Sequence, residues 1–187
     1  MKKVNIIYFV HGTTTDNENE VASGWNDAPL SELGIRQSTE LQNNVKGKKF
    51  DAVFCSDLRR ATDSAIITFG SGMPIVQDPR LRECDYGSLT GKNSKIVEAE
   101  AAKHIAVPFP KGESYKDVEV RMRNFLKDLE RNYPNKTVAI VGHKATQLAL
   151  EVILNGKTWK QAIEEDWRLK EPKEWKPGWI YVLKSGV

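Results

Sequence analysis

The stretch that decides the reading is IIYFVHGTTTDNENE, residues 6–20: a run of β-branched and aromatic residues stops at His11-Gly12 and gives way to three threonines and an asparagine. Such a run, bounded by turn residues, predicts a buried strand. A buried strand that ends by delivering one imidazole into a hydroxyl-rich turn predicts a rigidly held polar group at a sheet edge.

Working outward, strand-like runs recur at 4–10 (VNIIYFV), 50–54 (FDAVF), 74–76 (PIV), 137–141 (TVAIV) and 179–183 (WIYVL). Helical patterns lie between them. SELGIRQSTELQNNV sets Leu33, Gln37, Leu41 and Val45 on one face after a Ser31 cap, and YKDVEVRMRNFLKDLERNY sets Val118, Met122, Phe125 and Leu129 on one stripe with charges opposite. Apolar strands alternating with amphipathic helices predict a three-layer α/β/α sandwich with a mostly parallel central sheet. We read residues 1–187 as one domain, because no repeat or linker divides the chain. Its least regular part is 88–113, where EAEAAKH has helical character and VPFPKGES reads as a loop, suited to the substrate side of a site.

The 187 residues suffice for one sizeable core, and 40% apolar with 28% charged residues describes an ordinary globule. A net charge of +3, with basic residues scattered among acids, gives no case for nucleic acid as a partner. No stretch approaches the length of a membrane span, and the apolar start is interrupted by Asn5 and lacks a cleavage site, so neither membrane nor secretion is expected. Cys55 and Cys84 are too few for a disulfide framework and read as reduced thiols of a cytoplasmic protein. Oligomeric state leaves no mark in the sequence.

Polar clusters follow the strands. His11 ends the first; Ser56, Asp57, Arg59 and Arg60 follow the second; Glu83 follows the third; His143 ends the fourth. In open α/β sheets ligands gather outside the carboxyl ends of the strands, which makes these residues candidates for one pocket. Two imidazoles, a guanidinium and a carboxylate supply a nucleophile, an anion clamp and a proton donor, a kit suited to phosphoryl transfer. The peptide N–H groups of residues 144 and 145 open the helical run KATQLALEVIL and are a further expected anion contact.

Taken in order, VHGTTTDN, SDLRRATDSA, LRECDYGSLTG, GES and VGHKAT resemble the motif series of the histidine phosphatase superfamily, which has the phosphoglycerate mutase-like fold; GWNDAPLSELGIRQ matches a further family pattern. The resemblance spans about residues 4–183. It implies that His11 attacks phosphorus to form a phosphohistidine, that Arg60 and His143 hold the phosphoryl oxygens, that Asn17 adds a phosphate contact, and that Glu83 protonates the leaving alkoxide and then activates water. Under this reading His11 is neutral and His143 serves best as a cation, so the two should titrate differently. No metal or other cofactor is needed. The implied substrate is a small phosphorylated metabolite; the implied activity is phosphomonoester hydrolysis, with phosphoglycerate mutase-type transfer as the alternative.

The chain departs from the family pattern at its first motif, where Val10 stands in place of arginine and Thr13 in place of glutamate. A charge-assisted hydrogen bond contributes roughly 1.5–3 kcal/mol, so this loss is a handicap of about one to two powers of ten rather than an end to the chemistry. Lys144 stands where the family has a small residue, and its ammonium, or another nearby cation such as Arg36 or Arg82, is the expected replacement contact to phosphate. A degenerate phosphate-binding protein with little catalysis is the rival from another class. Arg59 is expected to face outward, Asp85 is a rival to Glu83, His104 reads as a solvated loop residue, and Trp159, Trp167, Trp175 and Trp179 read as packing for the C-terminal elements, Trp175 least firmly.

Overall fold

The computed structural model describes residues 3–70, 72–170, 175–176 and 178–186. Five strands, β1 (Lys3–Val10), β2 (Ala52–Cys55), β3 (Ile75–Gln77), β4 (Thr137–Gly142) and β5 (Trp179–Lys184), form one sheet in the order β3-β2-β4-β1-β5. The β3–β2, β2–β4 and β4–β1 pairs are parallel, and only the edge strand β5 runs antiparallel, against β1. Each expected strand is found within one or two residues of its sequence bounds.

Parallel pairing brings the C-terminal ends of β1, β2 and β4 to one side of the sheet. Val10 is in register with Gly142, the His11 N–H donates to the Gly142 carbonyl at 3.1 Å, and the Ser56 N–H donates to Val141 at 3.1 Å. His11 and His143 are therefore neighbours because of strand register.

The helices are α1 (Thr15–Glu18), α2 (Glu32–Val45), α3 (Arg59–Phe69), α4 (Ser94–Glu100), α5 (Tyr115–Asn132), α6 (Lys144–Asn155), α7 (Trp159–Glu164) and α8 (Trp167–Lys170). On one sheet face Ile6, Tyr8, Phe54 and Ile140 pack with Val118, Met122, Phe125 and Leu129 of α5 and with Leu148 of α6. On the other, Phe9, Val53, Cys55 and Val141 pack with Leu41 and Val45 of α2 and Ala61 and Ala65 of α3. These are the two outer layers expected, and each large apolar side chain sealed between them contributes about 1.5–3 kcal/mol.

The α5 stripe is buried as its periodicity predicts, but the α2 stripe is shifted. Its buried residues are Gly34, Ser38, Leu41 and Val45, whereas Leu33 is exposed. Small residues face inward because α2 crosses the chain after His11 at backbone contact. A Cβ on Gly12 would come 2.5 Å from the Gly34 carbonyl oxygen, and one on Gly34 would collide with the Thr13 carbonyl. A periodicity argument that counts only apolar residues misses such a close crossing.

The 88–113 segment contains α4 and a short 3-10 turn at Ala101–His104, followed by an irregular stretch. Phe109, within the expected loop, is fully buried in a ring cluster with Tyr86 and Tyr115. His104 is half-buried rather than solvated, stacked on Phe109 at 4.0 Å between centroids. Cys55 and Cys84 are buried free thiols. Among the described residues no helix is long and apolar enough to cross a membrane.

Candidate active site

The His11 and His143 rings lie 5.0 Å apart at the C-terminal ends of β1 and β4. Their backbones are held from below. The Gly12 N–H donates to Ser64 Oγ at 2.9 Å and the Thr13 N–H to Gln37 Oε1 at 2.8 Å, which ties the turn after His11 to α3 and α2. Tyr8, sealed in the sheet, donates from its hydroxyl to the His143 carbonyl at 2.8 Å and accepts the His143 N–H at 2.7 Å. Trp175 donates its indole N–H to the His11 carbonyl at 3.2 Å, so this tryptophan packs behind the histidine.

The His11 tautomer follows from geometry. Its Nδ1 lies 2.7 Å from the Gly12 carbonyl oxygen. A carbonyl only accepts, so Nδ1 carries the proton and Nε2 keeps its lone pair. Burial, followed by the Arg60 charge, pushes the His11 imidazolium down to about 3, which keeps the ring neutral.

His143 is fully buried, and neither ring nitrogen has a hydrogen-bond partner among the described residues. Burial, Arg60 and His11 hold it well below the ordinary histidine value. The expected contrast between a neutral and a cationic imidazole is thus not what the protein provides by itself: both rings are held neutral.

Arg60 opens α3 and is 2% exposed. Its guanidinium donates to the Asn26 carbonyl from Nη1 and to the Gly24 carbonyl from Nη2, each at 2.8 Å, and no carboxylate pairs with it among the described residues. Of five N–H donors this leaves three. A buried guanidinium beside one fully buried and one half-buried neutral imidazole concentrates donors and positive potential in one place, which is the electrostatic character of an oxyanion site. Arg59, by contrast, faces out and pairs with Asp63 at 3.3 Å, as expected.

Glu83 is nearly buried; its Oε1 accepts the Cys84 N–H at 2.8 Å and the Ala145 N–H at 3.0 Å. The second bond corrects the expectation that the first turn of α6 is free for an external anion: the 145 peptide donor is taken by Glu83, whose carboxylate thereby sits at a helix N-terminus beside His143. Two residues not singled out in the sequence fix the Glu83 backbone. Trp25 donates its indole N–H to the Glu83 carbonyl at 2.7 Å, and Arg121 donates from Nη2 to the same oxygen at 3.0 Å while forking onto Glu113 of the GES motif. Arg121 was hidden because its position on α5 looks like one more charge on a solvated face. Asp85 is occupied as an acceptor of the Gly87 N–H.

Asn17 lies in the first turn of α1. Its Oδ1 accepts the Thr14 N–H at 3.0 Å in a reciprocal cap, leaving the Nδ2 donors without a protein partner among the described residues. Its neighbour Asp16 is close enough to act on the Arg60 charge. Lys144 is placed differently from expectation: its ammonium lies 3.3 Å from Asp166 and 3.9 Å from Glu98, so it is engaged by carboxylates. Arg82 forks onto Asp57 and stacks on Trp25 at 4.7 Å, and Arg36 is an exposed partner of Glu32. None of these three is a free cation at the histidine pair.

The profile of the histidine phosphatase superfamily (branch 1) matches residues 7–170. The 2,3-bisphosphoglycerate-dependent phosphoglycerate mutase of Methylorubrum populi is 30% identical over 166 residues, covering 80% of this chain and 78% of that one. The uncharacterized phosphatase PhoE of Bacillus subtilis is 30% identical over 176 residues, covering 86% and 90%. Among solved structures, the mycobacterial glucosyl-3-phosphoglycerate phosphatase in complex with VO3 superposes with a TM-score of 0.75 at 27% identity, covering 86% of each chain. Motif order, strand-end histidines and relatives agree: the chain belongs to the histidine phosphatase superfamily.

Proposed function

We propose that the protein is a phosphatase that hydrolyses a small phosphomonoester through a phosphohistidine, acting as one domain in the cytoplasm. The observation that carries this reading is the geometry of His11, whose Nδ1–H is spent on Gly12, leaving the Nε2 lone pair, and whose ring feels the charge of a buried arginine that forms no carboxylate ion pair among the described residues.

In the first step Nε2 of His11 attacks phosphorus. The bond to the leaving oxygen breaks with its electron pair, and that oxygen takes a proton from Glu83. In the second step water gives a proton to Glu83 as its oxygen attacks phosphorus, the P–N bond breaks, and His11 returns neutral with inorganic phosphate released. Arg60 and His143 hold the equatorial oxygens, with Asn17 Nδ2 as a further donor; His143 gains its proton as phosphate binds, since a dianion favours the imidazolium. Lys144 acts on the site only through Asp166. The VO3 complex of the mycobacterial phosphatase supports an oxyanion as ligand of this architecture.

A mutase-type transfer is the second reading, favoured by the Methylorubrum relative at the same identity as the phosphatase. A phosphate binder without turnover needs no proton donor, and the carboxylate of Glu83 beside His143 favours catalysis over binding alone.

The test is hydrolysis of a chromogenic phosphomonoester in chelator across pH, comparing the native protein with His11→Ala and Val10→Arg. Turnover lost in His11→Ala supports the proposal. Turnover that persists in His11→Ala, or appears only when 2,3-bisphosphoglycerate is supplied, overturns it.

A further inference from the structure

A bound phosphoryl group carries close to two negative charges, and of Arg60, His11 and His143 only Arg60 is charged before it arrives. The described residues offer a second guanidinium in an unexpected place. Helix α8 follows Asp166, whose carboxylate is buried and accepts from the Arg168 N–H at 3.2 Å and from its Nη1 at 2.8 Å. Arg168 Nη2 donates at 2.8 Å to Oε1 of Gln147, a buried residue one helical turn beyond His143 on α6. The guanidinium also stacks on Trp167 at 4.8 Å and lies 5.9 Å from the ring of Trp179.

These contacts locate it. Trp179 is in register with Tyr8 on β1, and Tyr8 and Val10 contact the same core cluster as Trp179. Arg168 thus lies beside the first turns of α6, whose N-cap is His143, and near the part of β5 that pairs with β1 three residues before His11. Its charge is among those that disfavour the His11 imidazolium, after burial and Arg60, and it favours the Tyr8 phenolate. The local charge count leaves it effective. Asp166 would cancel one cation, but Lys144 also lies 3.3 Å from that carboxylate, with Glu98 at 3.9 Å on a more exposed side. Arg168 therefore does not have Asp166 to itself: that buried anion is shared with Lys144, which also meets the exposed Glu98.

We propose that Arg168 is the second guanidinium of the phosphoryl clamp, supplying from α8 the charge that Val10 does not supply from β1. Two of its five N–H donors are used by Asp166 Oδ1 and Gln147, which orient the plane and leave three for an anion. Lys144 is then a supporting residue that neutralises Asp166. The inference rests on the phosphoryl-transfer reading of the site, but its test does not require turnover.

The probe is inorganic phosphate, titrated calorimetrically at pH 8 against the native protein, Arg60→Gln, Arg168→Gln, Arg168→Lys, Lys176→Gln and Val10→Arg/Arg168→Gln, with ring-nitrogen magnetic resonance of His11 in parallel. Arg168→Gln should weaken phosphate binding about tenfold or more and Arg168→Lys less, because lysine keeps the charge but not the fork. The His11 ring should titrate at higher pH in Arg168→Gln, and Val10→Arg should restore at least a third of the lost affinity. Lys176→Gln, which removes another cation near Trp167 (5.3 Å), should change affinity less than twofold. Native affinity and an unmoved His11 titration in folded Arg168→Gln, with Arg60→Gln weakened, would overturn this inference alone. No phosphate binding by the native protein would overturn the site reading as well.

Discussion

Lowering the pH from 7.5 to 5.5 should destabilise this protein through its two strand-end histidines, His11 and His143, and the size of the effect follows from their surroundings. Both rings are held neutral in the folded state: His11 is pushed down to about 3 and His143 lies well below the ordinary value of 6.5. In the unfolded chain each takes up a proton near that ordinary value. The unfolded state therefore binds more protons below it, and stability that is fully present above pH 6.5 is lost as the pH falls. For a group whose folded value is far below the window, the loss is RT ln(1 + 10^(6.5 − pH)), which is about 1.4 kcal/mol per histidine at pH 5.5 and under about 0.1 kcal/mol at pH 7.5. Two histidines give about 2.7 kcal/mol, or a fall in Tm of about 5–10 °C for a chain of this size. Carboxylates held low by their partners, such as Asp57 beside Arg82, have ordinary values near 3.8–4.5 and add little in this window. The assay is urea unfolding at pH 7.5, 6.5 and 5.5 for the native protein, His11→Gln and His143→Gln. Each variant should lose about half of the native pH dependence. A native-sized dependence in both variants would refute the claim that burial beside Arg60 keeps these rings neutral.

Glu83→Gln should keep its Oε1 bonds to Cys84 and Ala145, so the fold and phosphate affinity should hold while kcat falls about 10²–10⁴-fold, as single-turnover kinetics would reveal. Gly34→Ala drives a Cβ into the Thr13 carbonyl and should cost about 2–3 kcal/mol in urea unfolding, with loss of turnover because the turn after His11 must move. Lys144→Ala leaves Asp166 to Arg168 alone and should weaken inorganic phosphate by about two- to fivefold, less than Arg168→Gln does, in the same calorimetric titration.

Much of the architecture was legible because its signals are local. A buried strand needs a run of β-branched and aromatic residues, and the runs at β1, β2 and β4 end in the polar residues that a parallel sheet must bring to one edge. His11, Arg60, Glu83 and His143 are legible for the same reason: each sits at a fixed offset from an element end, and register alone makes neighbours of the two histidines. Asn17 is expected from the sequence as a phosphate contact, and its capping of α1 appears only in the structure. The inward face of α2 was misread because a backbone crossing selects glycine and serine rather than apolar bulk.

What the tertiary structure alone decided is the electrostatic balance of the site. The pattern of residues cannot say that Lys144 turns to Asp166, that the Ala145 N–H is spent on Glu83, or that Arg121 and Trp25 fix the Glu83 backbone from elements nearly 40 and 60 residues away. Nor can it say that Arg168, in a short helix near the end of the chain, comes to rest by Gln147. Strand ends are set by nearest neighbours along the chain, so the sequence determined which groups stand at the sheet edge. Charge pairing is set by distances between elements that meet only on folding, so only the folded chain decided which of those charges are spent and which remain to meet an anion.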